Sequence, residues 1–138
     1  MEDKNEKLID SFYNGNVEDT IIAINQGADV NTPDIYGRYT PCLIASQEGH
    51  DKVVSVLIAA GEDVNKPDNN NGGYTPCYIA SYKGHDKAVS VLIAAGADVN
   101  IPDNDGWTPC YIACYKGHDK VVSVLIAAGA DANKPNND

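Results

Sequence analysis

One six-residue pattern fixes what this chain can fold into. Thr-Pro-Cys-(Tyr/Leu)-Ile-Ala occurs at residues 40–45, 75–80 and 108–113. Each copy is followed by Gly-His (Gly49-His50, Gly84-His85, Gly117-His118) and then by an apolar run closing on Ala-Gly-(Ala/Glu)-Asp-(Val/Ala)-Asn. Thr40 to Thr75 is 35 residues and Thr75 to Thr108 is 33. A fixed period of this size marks a stacked array, in which each unit buries one face on its neighbour and offers a flank to a partner. The 138 residues then form one domain with a quasi-one-dimensional core.

Residues 103–135 give the clearest unit. Asp103-Asn104-Asp105-Gly106 is turn chemistry, Asx side chains with a Gly for positive φ. Thr108 suits a helix N-cap and Pro109 the first helical position, where its missing N–H costs nothing. The spacing predicts a first helix over 109–116, stopped by Gly117. A second helix starts near Asp119, an acidic residue suited to the positive end of the dipole. Val121, Val122, Val124, Leu125 and Ile126 make it apolar on more than one face, so it is expected to lie between neighbours. Neither helix is long enough to stand alone in water, so stability must come from stacking.

This pattern resembles the ankyrin repeat, whose mark is Thr-Pro-Leu-His-x-Ala at a 33-residue spacing. The resemblance covers nearly the whole chain and implies an all-α solenoid of helix-turn-helix units with protruding turns. Residues 34–67, 68–102 and 103–138 read as three units, the last with an open end. Residues 1–33 read as an N-terminal capping unit. They lack Thr-Pro but keep a helix over 4–13, the Gly15-Asn16 break, a helix over 17–25 and Gly27-Ala28-Asp29-Val30-Asn31. Glu2, Asp3, Lys4, Asn5, Glu6, Lys7 and Asp10 give the first of these helices the polar outer face a cap needs.

The chain departs from the family pattern in three ways. The motif Leu is Cys (Cys42, Cys77, Cys110), and the motif His is Leu43, Tyr78 or Tyr111. That His fixes the turn by hydrogen bonding in the family. A Tyr hydroxyl partly substitutes, but Leu43 cannot, so the second unit is expected to lose local rigidity. The turns also differ in length, and Asn69-Asn70-Asn71-Gly72-Gly73 is expected to bulge from the row.

The net charge of −10 and pI near 4.5 oppose a nucleic-acid binder that tracks phosphates. Many acids sit near turns: Asp29, Asp34, Asp63, Asp68, Asp98, Asp103, Asp105 and Asp131. They read either as turn chemistry and solubility or as a rim attracting a basic partner segment. The first ten residues hold no apolar run, so no secretory signal is read, and no apolar stretch approaches a membrane span. Cys42, Cys77 and Cys110 recur at one repeat position, which is no disulfide framework and points to a reducing compartment, cytoplasm or nucleus.

The candidates for chemistry are weak. Cys110 and Cys114 have the spacing of half a metal site, but nothing in sequence faces them. They read as a buried and a semi-buried apolar residue. His50, His85 and His118 belong to the Gly-His loop and are expected to hydrogen-bond there. Asp68 to Gly73 lacks the ligands of a calcium loop. No phosphate loop, nucleophile elbow or zinc-protease motif is present. The reading is a non-enzymatic chain with no metal and no cofactor.

Aromatics before Thr-Pro carry the best functional signal. Tyr39, Tyr74 and Trp107 are expected to align along one edge. The resemblance implies that this position, the turn tips and the end of the first helix form the partner-binding surface. In this sequence that surface is Ile35, Tyr36, Arg38, Tyr39, Gln47 and Glu48; Asn70, Asn71, Tyr74, Tyr82 and Lys83; and Asn104, Asp105, Trp107, Tyr115 and Lys116. Exposed Tyr, Trp and Arg are the usual anchors of interfaces. The competing reading is that the aromatics merely cover the turns.

The expected function is therefore binding to another protein, with no nucleic acid and no membrane. The alternative is a piece of a larger protein whose repeats position a catalytic or channel domain. A metal or redox role for the Cys and His rows is a third reading. Units three and four are nearly identical after their turns, which suggests recent duplication or consensus design. The sequence stops where another turn would begin, so apolar surface is expected among Val122, Val124, Leu125 and Ile126. Either the array continues or this end self-associates.

Overall fold

The computed structural model describes residues 4–31, 39–68 and 72–131. These form eight helices in four antiparallel pairs, with no strand among the described residues. They are α1 (Lys4–Asn14), α2 (Val17–Asn25), α3 (Pro41–Glu48), α4 (Asp51–Ala59), α5 (Pro76–Lys83), α6 (Asp86–Ala94), α7 (Pro109–Lys116) and α8 (Asp119–Ala127). α1, α3, α5 and α7 stack in one row, and α2, α4, α6 and α8 in a second row behind it.

Local chemistry sets the helix ends. The hydroxyls of Thr40, Thr75 and Thr108 accept the N–H of Leu43, Tyr78 and Tyr111 at 3.3, 3.0 and 3.2 Å. Each cap leads into Pro at the first helical position. Gly49, Gly84 and Gly117 end the first helices in the left-handed region, with φ of 77°, 81° and 77°. That conformation costs a residue with a Cβ about 1 kcal/mol or more.

Stacking supplies what these eight- and nine-residue helices lack alone. Val53, Val54 and Leu57 of α4 and Ala88, Val89 and Leu92 of α6 are wholly buried. Residues 41–46 of α3 and 76–81 of α5 are buried on every side. α7 and α8 are less covered. Tyr111 and Val122 are half-buried although their counterparts Tyr78 and Val89 are buried. Of the four α8 residues among which apolar surface is expected, Ile126 is 49 % exposed, Val122 and Val124 are half-buried, and Leu125 is fully buried against the core. Cys114 is exposed instead of semi-buried, because no further first helix packs beside it among the described residues.

The histidines do more than shape their own loops. Nε2 of His50, His85 and His118 lies 3.0 Å from the carbonyl of Tyr13, Gln47 and Tyr82, each at the end of the previous unit's first helix. The rings cover Gly15, Gly49 and Gly84 so closely that a Cβ there would meet them at 2.5–2.7 Å. Each Gly-His pair is thus half of a joint between consecutive units.

The turns are also linked. Asp29, Asp63 and Asp98 each accept the N–H of the residue two ahead at 2.9 Å. Asn65 and Asn100 reach across to accept the N–H of Asp98 and Asp131, both at 2.9 Å. These bonds give the turn acids their place in the fold, as Asx chemistry predicts. The expected bulge at residues 69–73 falls largely outside the described residues. Its end is tied to the next turn, where Asn104 N–H donates to the Gly72 carbonyl at 2.7 Å.

Candidate partner-binding face

The sequence-predicted residues that the structure describes are Tyr39, Gln47, Glu48, Tyr74, Tyr82, Lys83, Asn104, Asp105, Trp107, Tyr115 and Lys116. Ile35, Tyr36, Arg38, Asn70 and Asn71 lie outside the described residues. Tyr39, Tyr74 and Trp107 are half-buried instead of exposed. Tyr39 packs against the core. Tyr74 stacks on Tyr78 with ring centroids 4.9 Å apart and planes 5° from parallel. Trp107 leans on Tyr111 at 4.4 Å and 50°.

Two members of the aromatic surface were not in the predicted set. Tyr78 and Tyr111 were read only as replacements for the motif His. With their neighbours they form rows at a spacing of four, Tyr74-Tyr78-Tyr82 and Trp107-Tyr111-Tyr115. That spacing places side chains on one helix flank, and it was legible in the sequence. Tyr82 continues the first row, 6.5 Å from Tyr78. The second unit has Tyr39-Leu43-Gln47 in the same places, so the aromatic character builds toward the last two units.

Tyr78 is fixed from the next unit. Its hydroxyl donates to Asp103 Oδ2 at 2.8 Å. Asp103 Oδ1 accepts the N–H of Asp105 and of Trp107, both at 2.9 Å. One carboxylate therefore holds the Tyr78 ring and the Trp107 turn together. Burial, and then the bond to Asp103, pushes the Tyr78 phenol above its ordinary range, so it stays a donor. Burial and the charges of Asp103 and Asp68 raise Tyr74 as well.

The second unit shows what the missing hydroxyl costs. Asp68 stands where Asp103 stands one unit on, and its Oδ1 accepts Gly73 N–H at 2.9 Å and Tyr74 N–H at 3.0 Å. Its Oδ2 is buried with no hydrogen-bond partner among the described residues. The counterpart of Tyr78 is Leu43, which has nothing to donate. Asp68 Oδ2 thus lacks the donor that Tyr78 gives to Asp103, while α3 itself keeps its Thr cap and its eight residues.

Toward the end of the first helices, two cations of the chain sit over one ring. Lys116 Nζ is 4.7 Å and Lys83 Nζ 5.8 Å from the Tyr82 centroid. Tyr115 is 73 % exposed. Between the rows lies an open pocket of about 280 Å³ lined by Tyr78, Asp103, Asp105, Trp107, Ile112 and Tyr115.

The other chemistry candidates converge on nothing. Cys42, Cys77 and Cys110 are buried free thiols. Burial pushes Cys77 up to about 12 and raises Cys42 and Cys110 too, the reverse of what a reactive thiolate needs. Among the described residues no group of three or more His, Cys, Asp and Glu is arranged to hold a metal ion, and no helix is long and apolar enough to cross a membrane.

The comparisons agree with the geometry. The family model described as "Ankyrin repeats (3 copies)" matches residues 66–136, and the one described as "Ankyrin repeat" matches residues 38–69. No curated protein matches the chain. Ankyrin repeats are generally protein–protein interaction modules and typically not enzymes. Stacked helix pairs, Thr-Pro caps, Gly-His joints between units and the two family matches lead to one conclusion: the chain belongs to the ankyrin repeat family.

Proposed function

We propose that this chain is a non-enzymatic recognition module. It binds another protein through its turn tips and the flank of its first helices, centred on units three and four. The supporting observation is the pair of aromatic rows locked by the Tyr78–Asp103 bond. Rings held in place before a partner arrives lose little side-chain freedom on binding, which is how a rigid surface gains affinity. The half-buried pose of Tyr74 and Trp107 fits both earlier readings, since each ring covers its turn and still contributes to the surface. The buried thiols and exposed Cys114, all free, suit a reducing compartment.

The test is capture of partners from source-cell lysate by the wild-type chain and by a Tyr39→Ala, Tyr74→Ala, Trp107→Ala variant, once its helical content is shown to be intact. A partner held by wild type and released by the variant supports the reading. A partner held equally by both moves the site elsewhere. Self-association is a second reading, favoured by Tyr115 at 73 % and Ile126 at 49 % exposure, where their counterparts Tyr82 and Ile93 are half-buried. Sedimentation over a concentration series tests it, and a constant monomer mass would end it.

A further inference from the structure

We infer that the pocket between Trp107 and Tyr115 takes an arginine side chain of the partner. This rests on the proposed recognition face and names what that face reads. The pocket joins three aromatic rings, Tyr78, Trp107 and Tyr115, to two carboxylates, Asp103 and Asp105. Aromatic faces attract cations through their quadrupole, and a carboxylate beside them adds a charge-assisted hydrogen bond. At about 280 Å³ the space falls just below the usual small-molecule range of about 300–1,000 Å³. It suits one long side chain better than a whole ligand.

The two carboxylates have different parts. Asp103 is buried and already accepts three donors, from Tyr78, Asp105 and Trp107, so it holds the walls and adds field. Asp105 is exposed and is the carboxylate that meets the guest. The lining contains no Lys or Arg of the chain. By contrast, the neighbouring Tyr82 ring has Lys83 and Lys116 over it. The same interaction thus already operates on this face, while the Trp107 pocket is left for a cation from outside. The chain's net charge of −10 favours such a guest at long range. Arginine fits better than lysine because its flat guanidinium stacks on rings while its fork meets a carboxylate in two places.

Trp107 is the sole tryptophan, so its fluorescence reports the pocket directly. Short acetylated Gly/Ser peptides, identical except for one central arginine, lysine or citrulline, are titrated against the full chain. The arginine peptide is expected to give a saturable change and to bind about tenfold tighter than the neutral citrulline peptide, the scale of one charge-assisted contact. Asp105→Asn is expected to remove that preference by weakening arginine binding to the level of citrulline, with the urea midpoint checked to show that the fold is intact. Equal response to arginine and citrulline, or an arginine preference that survives Asp105→Asn, overturns the inference. Tighter binding of lysine overturns the guanidinium assignment. If the face variant loses its lysate partner while the peptides show no arginine preference, this inference alone fails. If that variant, which lacks Trp107, keeps its partner while arginine still titrates Trp107 of the wild-type chain, the recognition reading fails and the pocket stands only as an arginine site, not as the place where this partner docks.

Discussion

Glu62 makes the second unit sensitive to pH. It stands where the later units have Ala97 and Ala130, and it is 6 % exposed. Its Oε1 accepts Cys42 N–H at 3.0 Å, satisfying a first-turn donor of α3, while Oε2 is buried with no hydrogen bond among the described residues. Burial pushes this carboxyl up to about 7. The Cys42 N–H, the nearby Thr40 hydroxyl and the Lys66 charge pull it the other way without prevailing. The folded chain therefore keeps a proton that the unfolded chain has released, so its stability falls as pH rises. The loss begins near the ordinary value of 4.5, runs through about 7 and levels off above it. At about 1.4 kcal/mol per tenfold change in proton affinity, the full loss is about 3 kcal/mol. Glu62→Gln keeps the acceptor for Cys42 and removes the titration. Urea unfolding of both proteins is compared from pH 4.5 to pH 8, values that bracket this interval, because the difference cancels every group they share. The variant is expected to match wild type at the acid end and to exceed it by up to about 3 kcal/mol at the alkaline end. A difference that stays constant with pH, or grows toward acid, refutes the reasoning.

Tyr78→Phe removes the donor to Asp103 Oδ2 and is expected to cost about 1.5–3 kcal/mol in urea unfolding, because a buried charged acceptor is orphaned. Leu43→Tyr offers the missing donor to Asp68 Oδ2, so it is expected to lose less than Tyr78→Phe even after repacking; a larger loss refutes the pairing. Gly49→Ala and Gly117→Ala share a φ of 77°, but a Cβ at Gly49 meets the His85 ring at 2.7 Å and one at Gly117 meets nothing within 4 Å. Both are expected to lose about 1 kcal/mol for the left-handed backbone, with a further loss at Gly49, so equal thermal midpoints would remove the His joint from the account.

What the sequence revealed is what local chemistry decides. The reading placed a helix over 109–116 and another beginning at Asp119, and α7 and α8 lie there, because Thr caps, Pro at the first position and Gly at the end act within one turn. What stayed hidden spans units. Tyr78 and Asp103 are 25 residues apart, and each His reaches a carbonyl 36 to 38 residues back. Only the stacking distance and rotation turn those separations into contacts. The motif His was read as a turn device within its unit, so its replacement by Leu43 pointed to the second unit. The structure places the consequence at Asp68, in the following turn.

This placement divides the aromatic residues by burial and contacts. Along a first helix the rows run at a spacing of four, and across units they recur with the repeat. Tyr115 is 73 % exposed and touches little of the core. Tyr82 is half-buried beside two lysines, so changing it rearranges surface charge more than packing. Tyr78 differs from both, because it is buried at 3 % exposure and its hydroxyl is part of the carboxylate clamp that sets Trp107. On the proposed face, a substitution at Tyr115 is therefore expected to act on recognition, whereas one at Tyr78 is expected to act on stability and, through Asp103, on the shape of the pocket. Stacking thus makes a residue of the folding motif the positioning element of the proposed face, through the one carboxylate that binds Tyr78 and the Trp107 turn.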